Sequence, residues 1–551
     1  MAEALLIEVD AGSTRARPAG RAAGCAAART AGALRVRLRI DGRRPRRWHA
    51  ALIARLAARP GLSIEVEDRP GPDDAPAYAE ALFRIESLAY GVPRDGPASR
   101  LDPAAAAAWP RPAGDLPAGD LPDLVIDLVG DVPERAGVPV RRLHYDGLPG
   151  EAALFGALLA KRVPVASLVE GGRTLCAARL GTEVRGVMLT MLDDALVRTA
   201  TMIEAGFAGG AAPLADPDAA AAPQVGLPPV ALTATELARR TLRIAARAVF
   251  QRLYRLGYRS PHWRIGWRRL DGPDLVDLRA HPETGWQELP DDGRRFYADP
   301  FPILHDGRCW LFVEEFPHAT GKGVISAVPF DAEGPAGIPA PVLETEHHLS
   351  YPFVFERDGA VWMIPESCAA GSIDLYRATA FPGGWVREAR LVSGVAASDP
   401  TLFEHGGRWW MFATVRGAPA SEPLGRGSYS DALHLWSAPD FRGPWTAHRA
   451  NPVLIDAATA RPAGRIVVRN GQAIRPVQDC ADGYGRALGL MRIDRLDEDG
   501  FAQSLHARIT SGPLWPGTRI HSLNCAGGFE FIDGSARIPR FLPPGLARRQ
   551  V

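Results

Sequence analysis

Residues 297–315 decide the fold, and they read YADPFPILHDGRCWLFVEE. A polar residue stands before a proline, an apolar segment follows, a turn that contains glycine interrupts it, and an aromatic segment continues the chain. Two apolar runs separated by a short glycine-containing turn are typical of a pair of antiparallel β-strands. The stretch therefore predicts a β-hairpin that begins with a polar residue.

The same order of residues recurs along the chain at intervals of about fifty residues. The further copies are SYPFVFERDGAVWMIPE at 350–366, SDPTLFEHGGRWWMFAT at 398–414, RPAGRIVVRNGQAIRPVQD at 461–479 and the shorter NCAGGFEFIDG at 524–534. A repeat of about fifty residues with about four strands each is what a propeller blade requires. The sequence predicts an all-β five-bladed propeller over residues 263–540, with residues 263–267 as a strand that closes the ring.

The residue before each repeated proline is a candidate for the propeller axis, because the first strand of a blade lines the central channel. Asp299 and Asp399 hold this position in blades one and three, while Glu315 and Glu366 end the following strands of blades one and two. Carboxylates gathered in one pocket can serve as base, acid and pKa modulator at a glycosidic bond. An Asp before a Pro also caps turns, so a structural role stays open.

These blades resemble the five-bladed propellers of glycoside hydrolase family 43. The resemblance implies that Asp299 is the general base and that Asp399 orients the sugar and modulates pKa. The family places its general acid in a Glu-Gly-Pro motif at the start of blade four, where this chain has Arg461. Glu366 and Glu315 are the candidate acids in its place, and glycosyl transfer or phosphorolysis becomes the expectation ahead of hydrolysis.

Cationic and polar side chains in the later blades are candidates for holding a sugar phosphate, because arginine neutralises phosphate groups. The candidate substrate-binding residues are Arg461, Arg465, Arg475, Asp479, His521 and Tyr351. Salt bridges between blades are the other interpretation of the arginines. The segment 461–485 also resembles the propeller domain of glucosamine inositolphosphorylceramide transferases, which implies a role in glycan or glycolipid assembly. A glycan-binding module without catalysis stays an alternative.

Upstream of the propeller, residues 33–205 show the alternation of strands and helices that is typical of an α/β domain. Strands are predicted at 34–40, 62–66 and 123–129, and helices at 48–58 and 74–88. The preceding residues 1–32 lack periodicity and are predicted to be a variable extension. Residues 206–262 are predicted to be an Ala/Pro-rich linker followed by a basic helix.

The segment from Arg142 to Gly147, with a helix at 151–161 and a strand at 163–169 after it, resembles the distal half of a formyltransferase domain. His144 corresponds to the histidine of that family's Asn-x-His pair, but Arg142 stands where the asparagine belongs. Loss of an oxyanion donor costs about 3 kcal/mol in comparable sites. We therefore expect an inactive formyltransferase-like domain, with sugar N-formylation as an enzymatic alternative.

The basic helix predicted at 235–258 carries six arginines opposite an apolar face. Such a helix binds a membrane surface or an anionic ligand, or it packs its apolar face on a neighbouring domain. The sequence leaves these interpretations open.

The composition limits the remaining function classes. A formal net charge of +1 gives no field that would favour a nucleic-acid partner. The six cysteines form no CxxC pair, which predicts neither a metal site nor a disulfide framework, and no motif predicts a cofactor. The N-terminus has no signal-peptide pattern and no apolar run reaches a membrane span, so the sequence predicts a cytoplasmic protein.

Overall fold

The computed structural model describes residues 32–72, 75–112, 121–130, 137–208, 231–417 and 427–540. The predicted extension at 1–32 lies outside the described residues except for Gly32, and so does most of the predicted linker at 206–232. Within the described ranges, no helix is long and apolar enough to span a membrane.

The N-terminal part is a mixed β-sheet flanked by helices. Its elements are β1 (Leu34–Ile40), α1 (Arg47–Ala57), β2 (Leu62–Asp68), α2 (Ala79–Tyr90), α3 (Pro103–Ala106), β3 (Leu124–Asp127), β4 (Val140–Tyr145), β5 (Leu148–Pro149), α4 (Gly150–Leu159), β6 (Val165–Glu170), β7 (Arg173–Arg179) and α5 (Met188–Ala208). The strand order is β2-β1-β3-β4-β6-β7, with β5 beside β4. Strands β1 to β4 are mutually parallel, whereas β6 and β7 are antiparallel. An α/β part with a partly parallel sheet is thereby confirmed.

The alternating residues of β1 explain why this segment becomes a strand. Val36, Leu38 and Ile40 point into the core and are almost fully buried. Arg37 lies between them on the opposite face and forms a 2.9 Å ion pair with Glu65 of the neighbouring strand. A side-chain period of two places apolar groups on one face and charged groups on the other.

Helix α6 (Ala234–Gly257) connects the two parts of the structure. It begins at Thr233, whose hydroxyl accepts a 3.2 Å hydrogen bond from the backbone N–H of Glu236. Leu237 and Ile244 pack against the core of the N-terminal part. One side of the helix therefore rests on the α/β part.

The C-terminal part consists of five antiparallel sheets around one axis, which confirms the predicted five-bladed propeller. It opens with β8 (Tyr258–Arg259), β9 (Trp263–Arg269), α7 (Leu275–Leu278) and β10 (Gln287–Glu288). Blade one contains β11 (Arg295–His305), β12 (Arg308–Pro317), β13 (Val324–Asp331), β14 (Gly334–Pro335) and β15 (Ala340–Leu343). Blade two contains β16 (Ser350–Arg357), β17 (Ala360–Glu366), a 3-10 turn at Cys368–Ala370, β18 (Ser372–Ala380) and β19 (Gly383–Ser393).

Blades three to five complete the circle. Blade three contains β20 (Ala397–His405), β21 (Arg408–Val415), β22 (Ala432–Ala438), β23 (Thr446–Ala447) and β24 (Leu454–Ile455). Blade four contains β25 (Val467–Arg469), β26 (Gln472–Asp479), β27 (Ala487–Asp497) and β28 (Gly500–Thr510). Strands β29 (Ile520–Ala526) and β30 (Phe529–Ser535) start blade five, and β31 (Ile538–Pro539) pairs with β8.

The ring closes because strands from distant parts of the chain share blade five. Strand β9 pairs antiparallel with β30, from Trp263 opposite Ser535 to Arg269 opposite Phe529. The order of this sheet is β10-β9-β30-β29. Its first two strands therefore come from the start of the propeller and its last two from the end.

The N-terminal part contacts blade three through buried charges. Arg198 of α5 forms a 2.8 Å ion pair with Asp431, and the backbone N–H of Gly181 donates a 2.8 Å hydrogen bond to the same carboxylate. Arg179 lies 3.3 Å from Asp456, which is also buried. These contacts hold the α/β part against the side of the propeller.

Candidate axial site

In four of the five blades the first strand carries a bulge where it reaches the axis. Pairing with the next strand is interrupted at Asp299 in blade one, Tyr351 in blade two, Asp399 in blade three and His521 in blade five. The first three have φ angles of 51°, 43° and 56°, a left-handed conformation that non-glycine residues adopt rarely. Such strained residues cluster at ligand and active sites.

Blade four contributes Arg461, which precedes Pro462 as Asp299 precedes Pro300. Its guanidinium Nε donates a 2.6 Å hydrogen bond to Asp399. The equivalent positions of the five blades thus bring an aspartate, a tyrosine, a second aspartate, an arginine and a histidine to one axis.

Asp299, His521 and Asp533 form one side of the cluster. His521 Nδ1 lies 2.5 Å from Asp533 Oδ1, and its Nε2 lies 3.8 Å from Asp299 Oδ1. Burial raises the pKa of Asp299 to about 7, an effect that His521 opposes and that the Asp533 and Asp399 carboxylates reinforce. Burial alone would lower the pKa of His521, but Asp533 outweighs it and the net shift is upward. With a pKa of about 7, Asp299 can take up or release a proton close to neutral pH.

The same trio has the chemistry of a metal site. One ligand atom from each of Asp299, His521 and Asp533 lies within 4.8 Å of the others. Carboxylate oxygens and an imidazole nitrogen are ligands that divalent cations accept.

Glu314 joins the cluster, although the sequence pointed to its neighbour Glu315. Burial, reinforced by the Asp299 and Glu366 carboxylates, raises the pKa of Glu314 well above its ordinary value. His348 Nε2 lies 3.4 Å from its carboxylate. Glu314 is therefore the blade-one counterpart of Glu366.

Glu315 points to the opposite face of β12, which corrects its expected place in the site. It pairs with Arg295 and accepts a 2.6 Å hydrogen bond from the hydroxyl of Ser326. These partners satisfy the carboxylate away from the axis. Consecutive residues of a strand face opposite sides of its sheet, so an error of one position exchanges the two glutamates.

Asp399, Glu366 and Arg461 form the other side of the cluster. Asp399 accepts from Arg461 and, at 2.7 Å, from the amide of Gln478, while its backbone N–H donates to Glu366 at 3.1 Å. Arg461 lies 3.6 Å from Glu366. Burial and the Asp399 carboxylate raise the pKa of Glu366 well above its ordinary value despite that cation. The raised pKa favours the protonated form of Glu366 relative to an ordinary glutamate.

Tyr351 is fully buried and contacts Asp299 through its backbone. Its hydroxyl lies 2.8 Å from the hydroxyl of Thr401 and accepts a 2.7 Å hydrogen bond from the backbone N–H of Gly464. Its own backbone N–H donates to Asp299 at 3.1 Å. Tyr351 thus supports Asp299 and joins the first strands of blades two, three and four.

Arg465, Arg475 and Asp479 do not join the cluster, so the three candidate arginines are not assembled into one phosphate site. Arg465 lies over the rings of two phenylalanines and donates to the Val354 carbonyl. Arg475 donates to the Thr459 carbonyl at 2.5 Å and to Gln503, within blade four. Asp479 accepts a 2.7 Å hydrogen bond from Arg508. Of the three candidate arginines only Arg461 is axial.

Two aromatic side chains border the cluster. Trp263 stacks on His521 with ring centres 4.1 Å apart, and Tyr484 meets the same imidazole edge-on at 5.3 Å. Arg461 lies over the Tyr484 ring at 4.9 Å. Aromatic faces beside polar groups are suited to sugar binding, because a pyranose has both an apolar face and hydroxyl groups.

In the N-terminal part, His144 lies on β4 two residues after Arg142. Burial and the Arg142 cation lower the pKa of His144, and Asp127 opposes the shift. Arg142 Nε lies 3.7 Å from Asp127, whose other oxygen accepts two backbone N–H groups. Arg142, two positions before His144, therefore lies beside a buried carboxylate.

Fold and cluster together define a two-part protein whose propeller carries a buried, acidic axial site. A family model described as the N-terminal region of glucosamine inositolphosphorylceramide transferase 1 matches residues 289–527. The rice protein of that name (Oryza sativa subsp. japonica) is 30% identical over 260 residues, which are 44% of this chain and 34% of the relative. The Arabidopsis thaliana protein is 30% identical over 235 residues, which are 41% and 30%. The chain spans about a third of the length of these relatives.

Solved structures similar to the chain include two glycoside hydrolases. A thermostable family-43 glycoside hydrolase aligns with a TM-score of 0.30 and 15% identity, over 42% of this chain and 85% of its own. The family-117 enzyme Zg3597 of Zobellia galactanivorans aligns with a TM-score of 0.32 and 14% identity, over 49% and 90%.

Proposed function

We propose that the axial cluster binds a sugar and catalyses its transfer in the assembly of a glycan or glycolipid. The observation that carries this proposal is the pairing of Asp299 with Glu366 in one cluster, both with raised pKa values. A base with a pKa of about 7 and a second carboxyl group with a pKa raised well above its ordinary range suit acid–base chemistry at an anomeric centre. The similarity of residues 289–527 to a glycolipid glucosaminyltransferase region supports the substrate class.

In this proposal Asp299 accepts the proton of the acceptor hydroxyl. The His521–Asp533 pair behind it stabilises the proton transfer electrostatically. Glu366 lies across the cluster and protonates the departing oxygen, while Asp399 holds the sugar through a carboxylate that Gln478 and Arg461 keep in place. Arg461, 3.6 Å from Glu366, also stabilises the negative charge that develops on the departing oxygen as its bond to the sugar breaks.

Glycan binding without catalysis is the second candidate. The observation that favours it is that Asp299, Glu366 and Asp399 are each less than a tenth exposed and each hydrogen bonded to protein groups. A site whose carboxylates are satisfied in this way can bind a sugar at its rim through Trp263 and Tyr484. Binding without turnover is the result that would separate this candidate from the first.

Formyl transfer by the N-terminal part stays a sequence-based alternative. Binding of a folate to the full chain, measured by calorimetry, tests it directly. An absence of folate binding would remove this alternative.

The test of the main proposal uses Asp299→Asn and Asp399→Asn in the full chain, offered a panel of nucleotide sugars with glycolipid acceptors. Asparagine tolerates the left-handed backbone, so both variants should fold. We expect each to lose about 100-fold or more of the transfer rate, the size of a positioned acid or base. Asp306→Asn, at an exposed turn with a φ of 49°, is the matched control. Full activity in both axial variants would refute a catalytic axis.

A further inference from the structure

Helix α6 presents two apolar faces, and only one of them is covered by the described residues. Toward the N-terminal part, Leu237 and Ile244 pack against the core, and Arg240 donates a 2.7 Å hydrogen bond to the Leu159 carbonyl. At 1.5 Å per residue its 24 residues extend about 36 Å. The helix is therefore a long rod fixed to the protein along one side.

The opposite side of α6 is an exposed apolar stripe. Its large residues are between 60% and 71% exposed: Leu242, Val249, Phe250, Leu253 and Leu256. Leu242, Val249, Leu253 and Leu256 follow one another at spacings of seven, four and three residues, which places them on one line along a helix. A contiguous row of this kind is unusual on a soluble surface and marks a binding face.

Arginines border the stripe. Arg239 and Arg243 lie along one edge and Arg252 along the other, and all three are exposed. Within α6 six arginines accompany a single acidic residue, Glu236, which gives the helix a charge of +5. The whole chain has a net charge of only +1, so positive charge is concentrated at this surface.

This combination favours one occupant, an anionic lipid surface. An apolar stripe with arginines on its flanks matches a bilayer interface, where acyl chains lie below a layer of phosphates. A second copy of the chain would place like-charged arginines against one another, which opposes pairing through this face.

We propose that α6 lies flat on membranes that contain anionic lipid, with its apolar stripe at the acyl boundary and its arginines among the phosphates. The proposal rests on α6 alone and is independent of the chemistry at the propeller axis. It assigns the protein a peripheral attachment through which the axial site is held near a membrane surface.

The test is cosedimentation of the full chain with vesicles made of two parts phosphatidylcholine to one part phosphatidylserine, and with vesicles of phosphatidylcholine alone. Leu242→Gln with Leu253→Gln should weaken binding to the anionic vesicles by about tenfold or more, because two leucines no longer enter the acyl boundary. Arg243→Gln with Arg252→Gln should weaken it by about tenfold as well. Glutamine is a good helix former, so the helix should persist in both pairs.

Matched controls alter equally exposed residues on the propeller. Ile338, 76% exposed, and the exposed Arg269 lie outside α6, so Ile338→Gln and Arg269→Gln should bind like the unaltered chain. Hydrogen exchange in α6 should slow when the anionic vesicles are added. Three results would overturn the proposal. These are equal binding to both kinds of vesicle, unchanged binding by the two double variants, or a chain that does not bind vesicles and forms a dimer in solution that these variants dissociate.

Discussion

At the scale of single residues, Asp299 combines a strained backbone with an unusual charge equilibrium. Its left-handed φ of 51° turns the carboxylate into the cluster, and its buried surroundings hold the proton more tightly than water does. Strain and desolvation both cost stability. Because strain and burial at Asp299 both reduce stability, a role in chemistry explains this residue better than a role in folding.

The raised pKa of Asp299 predicts a specific dependence of stability on pH. Between about pH 4 and about pH 7 the folded chain binds a proton at this carboxyl that the unfolded chain has released, so this residue makes stability fall as pH rises. Asp299→Asn removes that contribution. Urea unfolding at several pH values should therefore show the variant gaining stability relative to the unaltered chain as pH rises. A stability difference that stays constant with pH would contradict the assignment.

Substitutions of the two neighbouring glutamates of β12 should have different effects, one on the site and the other on stability. Glu314→Gln should reduce sugar binding or turnover by about tenfold or more, because Glu314 belongs to the axial cluster. Glu315→Gln should leave the site intact and reduce the free energy of unfolding by about 1 to 3 kcal/mol, since it weakens the contacts with Arg295 and Ser326. Activity assays and urea unfolding of both variants measure the contrast. The reverse pattern would place Glu315 in the site.

This pair also shows how far the sequence predicts the site. The residues before the repeated prolines can be identified as axial candidates because the motif recurs in several blades. The structure brings Asp299, Asp399 and Arg461 together at the axis. Counting from the turn glycine would have identified Glu314, which follows Gly307 by seven positions as Glu366 follows Gly359. Asp533 had no such signal, because the other blades carry no acidic residue at its position.

At the scale of elements, the sequence predicts the strands within each blade better than it predicts which distant strands pair with each other. Each hairpin is local, with a glycine turn between its strands, and the sequence displays it directly. The pairing of β9 with β30 joins residues far apart in the chain. The sequence indicates it only through the strand predicted at 263–267, which lies outside the repeats. Side chains of both strands, among them Trp267 and Phe531, meet in one buried cluster, and a local sequence pattern does not record such a long-range contact.

Gly266 in β9 tests this closure. A Cβ at this position would lie 2.7 Å from the ring of Trp515, which is itself buried. Gly266→Ala should therefore lower the free energy of unfolding of the propeller by about 1 to 3 kcal/mol through overpacking. Gly272→Ala is the control, because nothing lies within 4 Å of a Cβ there. Thermal unfolding of the two variants is the measurement, and equal midpoints would contradict close packing at the seam.

At the scale of the whole molecule, a buried ion pair joins the α/β part to the propeller. Arg198 and Asp431 are almost fully buried, so removing one leaves the other uncompensated. Arg198→Met should cost about 3 to 5 kcal/mol in urea unfolding and loosen the contact between the parts. Arg442→Met, which breaks an exposed ion pair with Asp358, should cost less than about 1 kcal/mol. Equal losses of unfolding free energy in the two variants would mean that the contact with blade three contributes little to stability.

The shared blade five also has a consequence for biosynthesis. Strand β9 emerges from the ribosome some 260 residues before its partner β30. Until residues 529–535 have been made, β9 pairs only with the two residues of β10 and lacks its long partner strand, while the α/β part already has all its strands. Pairings this distant form slowly and leave strand edges exposed meanwhile. The nascent propeller therefore exposes an unpaired edge of β9 until its last hairpin is translated.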